Sequence, residues 1–316
     1  MIRFILKIVL FWLLLISLIY GSAKIYSIPA ESKEYHNYDI EENLVITPKN
    51  DTVDYLMLGL SHARNFSRHR NHQRVEKILD IDLLNYGKGG GKGDVASQYV
   101  YMDYFLSENN YTKNILYVIS MPMLFANRLD ENAYTYQYEI FKPDFFYHIL
   151  KGPGLNKGEK LYNYIRTKFD KKWREDYGPW SAKSNDDVLD EFDTAEIKRG
   201  FKRAYVNGLE FDAFERNKEI IEKTIRLAQK NDIHISFLIT PSTFGEWPGH
   251  DHVIKLMEVM NEKYGVDTYD YSKVYLHQKK YFYDHHHLNT KGVVTFTREY
   301  LKPIINDSHN KKQAHD

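Results

Sequence analysis

Asp54-Tyr55-Leu56-Met57-Leu58-Gly59-Leu60-Ser61-His62-Ala63-Arg64-Asn65 is apolar through its first half and turns abruptly polar in its second. Residues 55–60 read as a buried parallel strand, and Ser61 falls at its carboxyl end. In open α/β sheets that is where ligands bind. Gly59 lets the backbone turn tightly before the serine. A serine so placed becomes a nucleophile only with a base, and the base needs an orienting partner. One distant stretch supplies both, Asp284-His285-His286-His287-Leu288-Asn289-Thr290-Lys291-Gly292.

Further strands are predicted at residues 82–86, 114–119, 234–240 and 266–269, each a short apolar run closed by turn residues. Between them, Val75, Ile78 and Leu79 fall at helical spacing, as do Val95, Tyr99, Met102 and Leu106. The same holds for Ile220, Ile221, Ile225 and Ala228, and for Val253, Leu256, Met257 and Met260. Strands alternating with helices predict an α/β domain with a parallel sheet covered on both faces. It spans residues 51–305, with a polar tail over 306–316. Residues 121–209 break the alternation: they are rich in Tyr, Phe, Trp, Lys and Asp and carry no clear strand. They read as a helical, aromatic-rich insertion beside the strand tips, either a lid or substrate platform or a packing elaboration.

The 316 residues are enough to bury a sizeable core. Lys+Arg and Asp+Glu both number 43, which argues against nucleic acid as partner, since phosphate neutralisation demands a basic surplus. There is no cysteine, hence no disulfide, thiolate metal site or cysteine nucleophile. The chain starts MIRFILKIVLFWLLLISLIY, long enough to approach the roughly 20 apolar residues a bilayer needs. Arg3 and Lys7 at its front predict a cytoplasmic N-terminus and a single-pass protein of the cell membrane with its body outside the cytoplasm. Residues 1–23 therefore form an anchor, or a signal segment cleaved near Gly21-Ser22-Ala23 that would leave a secreted body. Residues 24–50 are polar and turn-rich and read as a linker.

In Asp284-x-x-His287 one short turn can bring a carboxylate to an imidazole, fixing its tautomer while the other ring nitrogen faces Ser61. Three consecutive histidines also admit a metal. No metal or cofactor is assigned, because adjacent residues on a turn diverge and no matching carboxylate cluster stands out. His62 is expected to shape the pocket with Arg64 and contact substrate rather than act as base. No Gly-Lys-Ser/Thr closes the glycine-rich turn over residues 87–94 as a phosphate loop requires, and Gly87-x-Gly89-x-x-Lys92 lacks the third glycine of the dinucleotide fingerprint; the turn is read as a source of backbone N–H groups for an oxyanion.

With these residues in place, the chain resembles the SGNH (GDSL-type) hydrolase superfamily. Gly59-Leu60-Ser61 is similar to the nucleophile block, Asn85-Tyr86-Gly87-Lys88-Gly89-Gly90 to the second block, and Asp284 with His287 to the last. The resemblance implies a three-layer sandwich around a flavodoxin-like parallel sheet. It also implies an oxyanion hole from Ser61, Gly90 and a third-block asparagine. The expected Gly-x-Asn-Asp after the third strand is replaced by Ser120-Met121-Pro122-Met123-Leu124-Phe125-Ala126-Asn127, which leaves Asn127 as the candidate. The anchor and insertion resemble the membrane-tethered branch, which includes proteins of alginate O-acetylation and of D-alanyl transfer to teichoic acids. That branch implies acyl transfer to, or removal from, a cell-envelope polysaccharide, with a membrane-bound acyl-donor protein as a further partner. The rival expectation is a non-catalytic envelope-assembly or carbohydrate-binding protein on a degenerate form of the fold.

Overall fold

Within β1 (Thr52–Gly59), Leu56 and Leu58 enter one core and Tyr55 and Met57 the other. Successive side chains of a strand point to opposite faces, so a strand covered on both sides needs an unbroken apolar run. The structure, a computed structural model, describes residues 1–31, 49–89, 91–171, 173 and 185–306. β2 (Leu83–Asn85), β3 (Tyr111–Val118), β4 (His234–Ile239) and β5 (Asp267–Asp270) complete a parallel sheet in the order β2-β1-β3-β4-β5. Leu56 lies opposite Leu84 on one side and Ile115 on the other, and Leu116 lies opposite Ser236. This is the flavodoxin-like order, and its direction reverses between β1 and β3. A crevice therefore opens beyond the carboxyl ends of those two strands.

The first helix, α1 (Ile2–Glu31), is long and apolar enough over residues 2–29 to cross a membrane, with mean hydropathy 2.5 in its most apolar window. It runs past residue 23, where the linker was expected to begin. Its last turns dock on the body: Ala23 and Ser27 are fully buried, and Tyr20 meets the Phe141 ring edge-on at 4.8 Å. The Phe141 N–H donates to Ser27 Oγ at 3.0 Å. The rest of the expected linker, residues 32–48, and the tail beyond 306 lie outside the described residues.

After β1 come α2 (Ser61–Arg64) and α3 (Asn71–Leu79), and after β2 comes α4 (Val95–Ser107). The segment beyond β3 is helical: α5 (Met121–Phe125), α6 (Asn127–Asp130), α7 (Pro143–Lys151), α8 (Lys157–Arg166) and α9 (Thr194–Ala204). Among the described residues of 121–209 there is no strand. α10 (Phe211–Lys230), α11 (His250–Tyr264) and α12 (Thr290–Phe296) follow, the last running into a π turn at Thr297–Leu301. Apolar faces of α4, α10 and α11 close one side of the sheet, and those of α3 and α12 the other. The insertion joins the first of these cores through Tyr136, Phe141, Phe145 and Tyr164, each 2% exposed or less.

Two glycines bring the walls of the crevice together. Gly59 has φ +138°, and a Cβ there would stand 2.6 Å from the Val118 carbonyl oxygen of β3. Only a residue without a Cβ fits that approach. Gly87 lies directly on the Arg64 backbone nitrogen, which seats the glycine-rich turn against α2.

Candidate active site

Ser61 opens α2 beyond the tip of β1, half-buried at the mouth of the crevice. Three contacts hold the surrounding turn. Lys88 N–H donates to the Gly59 carbonyl at 3.1 Å, and Asn85 Nδ2 donates to the Ala63 carbonyl at 2.7 Å. Asn65 Nδ2 donates to the Leu288 carbonyl at 2.9 Å. That last bond ties the serine helix directly to the histidine loop, 223 residues away in sequence.

The histidine loop is built on Asp284. Its Oδ1 accepts the backbone N–H groups of His286 at 2.9 Å and His287 at 2.7 Å, which closes the turn. Its Oδ2 lies 2.7 Å from His287 Nδ1. Burial opposes ionisation of this carboxyl, but the His287 charge and hydrogen bond outweigh it and hold its pKa below the usual carboxylate range. With Nδ1 committed to Asp284, His287 Nε2 is buried and has no hydrogen-bond partner among the described residues. The ring stacks on Tyr283 at 5.5 Å and lies 5.2 Å from the ring of His62, the residue after Ser61. The loop is anchored downstream by Asn289, whose Oδ1 caps α12 through the Gly292 N–H at 2.8 Å. Upstream, Thr243 beyond β4 donates its hydroxyl to the His285 carbonyl at 2.8 Å.

The three histidines do different things. His285 turns away and accepts the Asp193 N–H on Nε2 at 3.1 Å. His286 faces the crevice against Trp247, with ring centroids 5.3 Å apart. His286 and His287 do not diverge as adjacent turn residues were expected to; with Asp284 they bring ligand atoms within 4.8 Å of one another. Asp284 meanwhile spends Oδ1 on two backbone N–H groups and Oδ2 on His287 Nδ1.

A cleft spans the strand tips, lined by Ser61, His62, Ser120, Trp247 and His286 among others. The insertion forms one wall of it through Arg128, Leu129, Gly200, Arg203 and Ala204. Ser61 and His62 thus sit where the sequence placed them. Arg64 does not line the cleft: its guanidinium packs behind the glycine-rich turn against Gly89. Gly90 lies outside the described residues. Asn127 is committed elsewhere, contrary to its expected oxyanion role. Its N–H and Nδ2 donate to Glu210 at 2.9 Å, Nδ2 also reaches Asp212 at 3.2 Å, and Oδ1 accepts from Arg216. An amide so engaged has no hydrogen left for a substrate oxyanion.

Sequence reasoning missed Ser120, Trp247, His286 and the two arginines. Ser120 carried a signal, since it stands just beyond the apolar run of β3 as Ser61 does beyond β1. The others come from loops and helices whose approach to the cleft is set by tertiary packing.

His62 and His286 both resist protonation. Burial, then the charge of His287, lowers the His62 pKa to about 3, and the same causes push His286 well below its ordinary value. The unfolded chain takes up these protons near pH 6.5, so stability is intact above that pH and drains as pH falls toward the folded values. His62 alone accounts for on the order of 3 kcal/mol between pH 7 and pH 4. In His62→Gln, urea unfolding should therefore show a smaller stability difference between those two pH values; an unchanged difference would contradict a neutral buried ring.

No family model and no curated protein matches the chain. Among solved structures it is similar to a Bacteroides fragilis protein provisionally described as an acylhydrolase. The TM-score is 0.42 and the identity 10%, over 88% of this chain and 97% of that one.

Proposed function

We propose that this protein performs serine-dependent acyl-ester chemistry on a cell-envelope polysaccharide, as an O-acyltransferase or esterase of the SGNH type. The observation that carries the reading is the Asp284–His287 bond at 2.7 Å with a buried, unpartnered Nε2 on the far side of the ring, beside the Ser61–His62 turn. Ser61 Oγ and His287 Nε2 are not hydrogen-bonded in this structure, and such contacts often tighten only when substrate arrives.

In the proposed reaction Ser61 Oγ adds to the ester carbonyl while His287 Nε2 takes its proton. Asp284 holds the ring in the tautomer that leaves Nε2 free to accept. The oxyanion is held by backbone N–H groups at the start of α2 and in the glycine-rich turn. Collapse of the adduct breaks the bond to the leaving alcohol, which departs with the proton from His287 and leaves an acyl-serine. A sugar hydroxyl or water then attacks, giving its proton to His287, and Ser61 recovers its own. Acetyl is the acyl group we favour, delivered in the transferase case by a membrane-bound donor protein.

The docking of α1 supports a retained anchor. Cleavage near Ala23 would remove Tyr20 from Phe141 and cut the helix one turn before the buried Ser27. The body would then stand outside the cytoplasm, held close to the membrane by a helix that is part of its own packing.

The test is fluorophosphonate labelling of the full chain in detergent. Wild type should label at Ser61, and Ser61→Ala, shown folded by circular dichroism, should not. Folded wild type that takes no label would overturn the triad and leave the non-catalytic carbohydrate-binding reading.

A further inference from the structure

We infer that Arg128 binds an anionic group, carboxylate or phosphate, on the molecule that enters the Ser61 cleft. This rests on the reading of Ser61 as the nucleophile and adds to it the charge of the substrate. The lining of the cleft carries Lys88, Arg128 and Arg203 and no aspartate or glutamate. Two of these cations are already matched by protein carboxylates: Lys88 by buried Glu139, and Arg203 by Glu196 at 2.6 Å. Arg128 is not. Its Nε donates to the Ala204 carbonyl at 3.1 Å, and no carboxylate among the described residues pairs with its guanidinium.

The neighbouring acid is turned away. Asp130, two residues on, gives its carboxylate to Arg216 at 2.5 Å and to Asn217 at 3.0 Å. Arg128 is exposed on the cleft wall, where a molecule entering the cleft can reach it. A cleft guanidinium without a protein carboxylate beside it is open to a ligand anion. The Nε bond fixes the plane of the fork, and its NH1 would stand 3.7 Å from a Cβ placed on Gly91 at the cleft rim. A fork fixed in this way suits two-point recognition of a carboxylate or phosphate.

The test compares fluorophosphonate labelling rates of the full chain in chloride, inorganic phosphate and succinate at matched ionic strength. Each variant's rate in chloride is its own reference. Phosphate or succinate should slow labelling of wild type by about three-fold or more once it exceeds its dissociation constant about two-fold. The slowing should vanish in Arg128→Gln and be only partly retained in Arg128→Lys, which keeps the charge and loses the fork. The anion that protects more strongly names the group. Protection by neither anion, or equal protection in Arg128→Gln, would overturn the inference. If wild type takes no label, the serine reading fails, and the anion site is read by another route. Phosphate or succinate should then raise the melting temperature of Ser61→Ala but not of Ser61→Ala with Arg128→Gln; equal shifts overturn it.

Discussion

Asp284→Asn is expected to lower the rate of acyl transfer or hydrolysis by about 10³- to 10⁴-fold while leaving the fold intact. The two carboxylate oxygens have separate tasks. Oδ1 accepts the His286 and His287 backbone N–H groups, and an asparagine carbonyl can do the same, so the turn survives. Oδ2 accepts from His287 Nδ1, and there asparagine presents an NH₂ instead. A donor facing Nδ1 favours the tautomer with its proton on Nε2, which can no longer take the proton of Ser61. The measurement is kcat for an activated acetate ester, read beside the melting temperature. A fall in both together would mean a collapsed loop; a fall in kcat at unchanged melting temperature is the expected result. Unchanged kcat would mean that His287 is not the base.

The contrast between legible and illegible parts of this chain follows from the range of the interactions involved. Strands β1, β3 and β4 announce themselves because burial on both faces forces a local apolar run, and Gly59 and Ser61 lie next to one of them. The Asp284–His287 bond is also local, one turn long, and so a spacing of three residues was enough to foresee it. Asn127 was misread because its surroundings are set by α10: Glu210, Asp212 and Arg216 arrive from more than eighty residues away and saturate its amide. The end of α1 was misplaced for a related reason. Gly21-Ser22-Ala23 looks like a cleavage site at the end of an apolar segment in isolation, whereas Ala23 and Ser27 are buried against the body. Nothing in residues 121–209 showed that Arg128 and Arg203 would form a cleft wall, since that placement depends on where the insertion is fastened.

One buried ion pair does much of that fastening, and breaking it is expected to cost about 3–5 kcal/mol. Lys160 of α8 is 2% exposed, and its Nζ lies 2.5 Å from Oδ2 of Asp94, which is fully buried. The same ammonium donates to the Asp130 carbonyl at 2.9 Å. Asp94 follows Gly93 of the glycine-rich turn, and Asp130 lies two residues beyond Arg128, so this single cation joins both walls of the cleft. Lys160→Met keeps most of the volume but leaves Asp94 charged in an apolar interior, a larger penalty than the lost bond itself. Asp94→Asn in the same chain removes that charge and keeps a side-chain oxygen to accept the Ser97 N–H that starts α4. The double variant should therefore recover much of the stability lost in Lys160→Met, as measured by urea unfolding at pH 7. Losses that simply add would show that the pair is not coupled. If they do couple, Lys160→Met should also slow labelling at Ser61, because the wall that carries Arg128 would no longer be held against the strand tips.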